Sequence, residues 1–110
     1  MITIKLFYQE NILVGIESSG HSGFAEKGYD IVCAAVSVLM QSLVLGLREI
    51  AKVESLICQV NDSVPLISVR WIKKSVPKIS LLTETISESL KQIAEQNSDY
   101  VKICSKGVNE

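Results

Sequence analysis

The sequence predicts an α+β domain of order ββαββαβ, a mostly antiparallel sheet with two helices packed on it. Three observations carry that prediction. Ile2, Ile4, Leu6 and Tyr8 alternate with other residues, and so do Ile12, Val14 and Ile16 across the turn Gln9-Glu10-Asn11, which reads as a hairpin. Val32, Val36, Leu39, Leu43, Leu47 and Ile50 recur at helical spacing, and Leu82, Ile86, Leu90 and Ile93 repeat the pattern later. Between those helices, two further alternating runs read as a second strand pair.

The chain has 110 residues, so residues 1–110 are read as one domain. Hydrophobic residues make up 47% and aromatics only 5%, so the expected core is built from Leu, Ile, Val and Ala. The hairpin strands run over 2–8 and 12–17, and residues 18–29 form a loop loosened by Gly20, Gly23 and Gly28. The first helix runs from Asp30 to about Lys52, with the Asp30 carboxylate as N-cap. It is apolar nearly all round, which means burial on more than one side or contact with another subunit. Strands at 54–61 and 65–73 flank the turn Asn61-Asp62-Ser63. Val76-Pro77 marks a break, because proline disfavours helix in the residue before it. A second helix opens at Ser80 or Thr83 and runs to about Gln96, with Glu84, Glu88, Lys91 and Glu95 on its wet side. A short strand follows over 100–104, and Ser105 to Glu110 is expected to fray.

Charge and composition narrow the function classes. Net charge is −1 and the pI is about 5.8, with no basic stripe, so direct nucleic-acid binding is not expected. No charged-then-apolar leader opens the sequence, and the apolar stretch from Ile31 to Leu47 is short and broken by Ser37, Gln41 and Ser42, so no membrane span is expected. Three cysteines without C-x-x-C spacing point to free thiols in a reducing cytoplasm. One histidine and three scattered cysteines are a poor zinc set, so no metal is expected. No phosphate cradle or dinucleotide fingerprint is present, so no cofactor is expected.

The chemistry gathers in Gly20 to Ser37. His21 is the only histidine, and Cys33 falls in the first turn of the first helix if Asp30 is its cap. There the free N–H groups and the positive end of the helix dipole favour a thiolate, the form that attacks carbonyl carbon. A histidine just before it in the chain suits proton transfer, which completes the minimum set for cysteine-based acyl transfer. A cysteine in an apolar helix is, against this, most often a small core hydrophobe. Asp30 either caps the helix or orients His21. Ser37 lies four residues after Cys33 and shares its face, unless its hydroxyl bonds back to a helix carbonyl. Cys58, Cys104 and Trp71 read as packing residues.

Gly20-His21, Gly28, Asp30, Val32-Cys33-Ala34-Ala35 and Ser37 resemble the signature of the ribosomal-processing cysteine protease family. The length, the element order and the run Leu90-Lys91-Gln92-Ile93-Ala94-Glu95 fit as well, and Ser22 departs from the alanine common there. The resemblance implies an endopeptidase with Cys33 as nucleophile and His21 as general base and acid. Its implied substrate is a ribosomal protein precursor, cut to remove the N-terminal extension of a large-subunit ribosomal protein (bacterial L27 type). It also implies a homodimer. Backbone N–H groups at the start of the long helix are candidate oxyanion donors. The alternatives are a non-catalytic ribosome-associated protein-binding module and, more weakly, a thiol redox protein, which lacks a resolving cysteine nearby. The loop Ser22, Gly23, Phe24 to Gly28, Tyr29 is expected to act as a substrate lid, with the glycines as hinges and the two aromatics offered to a peptide. The competing reading is a fixed loop whose aromatics are core.

Overall fold

Glu10 and Asn11 take positive φ angles of 52° and 66°, the type I′ geometry that matches the twist of a two-residue hairpin. In this computed structural model, which describes residues 1–20, 27–61 and 65–108, that turn joins β1 (Ile2–Gln9) to β2 (Ile12–Gly20). They pair antiparallel in a register that sets Leu6 opposite Ile16, with an irregularity at Phe7/Tyr8. β3 (Ile57–Asn61) and β4 (Leu66–Arg70) form a second antiparallel pair, and β4 joins it to β2. β5 (Val101–Gly107) lies parallel to β1, giving the sheet order β3-β4-β2-β1-β5. The α+β expectation and the mostly antiparallel sheet hold.

Strand alternation divides the sheet into two faces. Ile4, Leu6, Ile16 and Val69 are fully buried on one face and form the core with both helices. On the other face the Arg70 guanidinium sits 4.0 Å from the centre of the Phe7 ring, and Lys5 pairs with Glu17 at 3.6 Å. α1 (Lys27–Leu45) contributes Val32, Val36, Met40 and Leu43, and α2 (Val76–Gln96) contributes Ile79, Ile86, Leu90 and Ala94. Trp71 is buried and its indole N–H donates to the Leu13 carbonyl at 3.0 Å. Lys73 reaches the hairpin turn at 2.8 Å from Glu10, and this hydrogen bond and charge hold the exposed Glu10 carboxyl below its ordinary pKa.

Several boundaries differ from those expected. Residues 18–20 belong to β2, because their backbone pairs with both Ile2–Ile4 and Leu66–Ile67. α1 opens at Lys27, so Gly28, Tyr29 and Asp30 lie inside it. Its α-helical part ends at Leu45, and Gly46–Ile50 form a π-helical turn. A Cβ at Gly46 would meet Leu82 at 2.5 Å, so the helices touch there through glycine. Left-handed φ angles at Lys52 and Ser55 (51° and 59°) keep that segment out of β3, which begins at Ile57. Pro77 does not interrupt α2 but sits in its first turn, where a missing N–H costs nothing, so the helix starts before Ser80. Ser105 to Gly107 are not frayed; they pair with Leu6 to Tyr8.

Burial ranks the helix positions energetically. Leu43 is 0% exposed and Leu81 is 85% exposed. Leu43→Ala is expected to cost roughly 3 kcal/mol by transfer and cavity terms, while Leu81→Ala stays within about 0.5 kcal/mol. Urea unfolding of the two variants beside the parent checks both.

Candidate active site

Cys33 is half-buried on α1 and lines a cleft of about 570 Å³. The other wall is built by the end of β2, with Ser18, Ser19 and Gly20, and by the β3–β4 hairpin, with Val60, Pro65 and Ile67. Strand pairing holds that wall in place: Ser19 lies opposite Leu66, and the Gly20 N–H donates to the Pro65 carbonyl at 3.2 Å. Along α1 the cleft continues from Cys33 through Ser37 and Gln41 to Arg48 and Glu49 of the π-helical turn. At about 1.5 Å per residue, the fifteen positions from Cys33 to Arg48 span roughly 22 Å, the length of six or seven extended peptide residues.

The structure brings some of the sequence-selected residues together. Cys33, Ser37 and Gly20, to which His21 is bonded, line one cleft. The Ser37 hydroxyl does not bond back to a helix carbonyl; it accepts a hydrogen bond from Gln41 Nε2 at 3.2 Å. His21, Ser22, Gly23 and Phe24 lie outside the described residues, and so does the lid expected of that loop. Three expectations are corrected. Asp30 is not the N-cap, because helical geometry begins at Lys27 and places it within the first turn. Cys33 is therefore six positions into α1, its N–H engaged in the helix, and the dipole argument, which fades within the first turn, no longer applies to it. Gly28 is helical and cannot be a loop hinge, and Tyr29 is likewise helical in its backbone.

Ser18, Ser19, Gln41, Arg48 and the β3–β4 hairpin were not singled out from the sequence. They share the cleft with Cys33: Gln41 and Arg48 through the run of the helix, the others through strand register. The one usable signal was the polar interruption of an apolar helix at Ser37 and Gln41. Cys58 packs beside the core on β3, and Cys104 pairs with Lys5 across the β1–β5 register; neither lines the cleft, and all three thiols are free. Among the described residues, no three His, Cys, Asp or Glu side chains gather to hold a metal.

Comparison with known proteins decides the family. The profile described as "Cysteine protease Prp" matches residues 1–102. The chain belongs to the ribosomal-processing cysteine protease family. It is 32% identical over 100 residues to the ribosomal processing cysteine protease Prp of Mycoplasma genitalium, covering 91% of this chain and 93% of that protein. The Mycoplasma pneumoniae counterpart is 31% identical, over 78% and 81%. Among solved structures, SMU.848 from Streptococcus mutans superposes with a TM-score of 0.81 at 31% identity, over 98% and 96% of the two chains. The S. aureus ribosomal processing protease Prp, solved with a substrate peptide, shares the fold with a TM-score of 0.84 at 21% identity, over 96% and 100%. The protein is thus a cysteine protease.

Because Cys33 alone of the three thiols opens on the cleft, iodoacetamide at neutral pH is expected to label Cys33 well before Cys58 and Cys104. Peptide mapping by mass spectrometry over a time course reads the order.

Proposed function

We propose that this protease removes the N-terminal extension of a large-subunit ribosomal protein precursor of the L27 type, using Cys33 as nucleophile and His21 as general base and acid. The observation that carries the reading is the shared cleft, with Cys33 on one wall and Gly20, directly before His21, on the other. The relatives named as ribosomal processing proteases supply the substrate class. His21 takes the proton of the Cys33 thiol as the sulfur attacks the scissile carbonyl. The amine of the mature protein leaves with that proton, and the extension stays on sulfur as a thioester. Water, deprotonated by His21, then attacks the thioester carbonyl; the C–S bond breaks, His21 returns its proton to the Cys33 sulfur, and the extension leaves as a carboxylic acid that ionises in solvent. The amides of α1 around Cys33, a turn or more into the helix, are engaged in helix bonds and are not oxyanion donors. Asp30 and Ser37 support the pair, the first from the opening turn of α1 and the second from the cleft wall.

The protein works as a homodimer in the cytoplasm, where its thiols stay reduced. Its partner is a protein rather than nucleic acid, in keeping with a net charge of −1. α1 and its π-helical turn, Asp30 to Ile50, are long and apolar enough to cross a membrane, with a mean hydropathy of 2.0 over their most apolar 18 residues. One side of this helix is core. Another carries Ile31, Val38 and Leu45, exposed by 64%, 61% and 57% and spaced seven residues apart, the repeat of a helix that pairs with another. A second copy of α1 across a two-fold axis covers that stripe without a membrane.

Incubation with the precursor and mass measurement of its N-terminus is expected to show one cut by the parent protein and none by Cys33→Ala or Cys33→Ser. Cys58→Ala and Cys104→Ala stay active, with packing losses of about 1 kcal/mol. Turnover by Cys33→Ala at the parental rate contradicts the assignment. Sedimentation at micromolar concentration is expected to give a dimer, and Val38→Glu with Leu45→Glu a monomer.

A further inference from the structure

Ser18 lies on β2, on the helix-covered side of the sheet, and is only 8% exposed. Its side chain makes no hydrogen bond among the described residues, where no sealed polar side-chain atom is left without a partner. Its hydroxyl is therefore not sealed, and it opens on the cleft that Cys33 lines. A hydroxyl so nearly withdrawn from water and left unpaired works against stability. Strand register sets it between the apolar Ile4 and Ile67, so alanine there would lengthen an apolar strip. Ser18 is the most buried of the cleft's three serines. The amides of α1 around Cys33 are consumed by the helix.

We infer that Ser18 is a substrate-contacting residue, its hydroxyl donating a hydrogen bond to a main-chain carbonyl of the peptide bound beside Cys33. A donor fixed by a paired strand and unpaired in the free enzyme needs no reorganisation when that carbonyl arrives. The small loss of stability in the free protein becomes a gain in the complex, where the hydroxyl is satisfied. This inference rests on Cys33 being the nucleophile, as proposed above, and not on which protein is cut.

A short peptide aldehyde tests it. The Cys33 sulfur adds to the aldehyde carbon, the thiol proton passes to the aldehyde oxygen, and the reversible hemithioacetal shields Cys33 from iodoacetamide. The readout is the aldehyde concentration that halves Cys33 labelling. Ser18→Ala is expected to need about tenfold more aldehyde, the worth of one lost hydrogen bond. Its labelling rate without aldehyde should equal the parent's, and its melting temperature should be no lower. Equal protection of the two proteins overturns the inference, and so does a parent protein that no aldehyde protects. A parent that is protected while Ser18→Ala is not, but that leaves the ribosomal precursor uncut, upholds the Ser18 contact and overturns the substrate reading instead.

Discussion

Everything in this fold depends on how α1 packs into the core it shares with α2 and the sheet. Val32, Val36, Met40, Leu43 and Leu47 form one stripe at helical spacing, each exposed by 6% or less, and they share one core cluster with Ile4, Leu6, Ile16 and Val69 of the sheet and Ile79, Ile86 and Leu90 of α2. With about 100° of turn per residue, fixing that stripe fixes every other direction on the helix. Cys33, Ser37 and Arg48 then face the cleft to one side of the core. Ile31, Val38 and Leu45 project well away from the core stripe. A single hydrophobic contact thus sets the rotation of the nucleophile. It also leaves an apolar stripe outside, about a quarter-turn or more from Cys33, whose last member, Leu45, reaches the rim of the cleft.

The opposite wall is fixed by backbone pairing rather than by packing. β2 is an interior strand, bonded to β1 on one side and β4 on the other, so its last residues, directly before His21 in sequence, are held in place. The arrangement is economical in rigid parts: a packed helix presents sulfur, and a doubly paired strand presents Ser18 and leads into the histidine. Groups held by such elements keep their positions better than groups on loops. The cleft is long because α1 continues past Leu45 as a π-helical turn, which keeps Arg48 and Glu49 on the cleft.

Much of this was legible in the sequence, and the failures have physical causes. The hairpin was legible because period-two alternation met a turn that tolerates positive φ at Glu10 and Asn11. Cys33 and Ser37 were legible as sharing a face because a spacing of four fixes this in any helix. The N-terminus of α1 was misread because Asp30 is a good cap by chemistry, and nothing local excludes a helix that begins a turn earlier at Lys27. Pro77 was read as a break although the same residue is welcome in a first turn. Ser18 was read as loop because two polar residues and a glycine resemble a strand's end, while pairing with two neighbouring strands carried the strand on to Gly20. That pairing is long-range and leaves no mark in the local pattern, which is why the far wall of the cleft stayed hidden.

The central claim is that the Cys33 sulfur, turned into the cleft by the packing of α1, carries the acyl group during cleavage. Acid-quenching the parent protein early in its reaction with the ribosomal precursor, followed by peptide mapping, tests it most directly. The account predicts the mass of the released extension, joined as a thioester, on the peptide containing Cys33. Precursor cleaved while Cys33 stays unmodified at every time, or the extension found on Cys58 or Cys104, would contradict it.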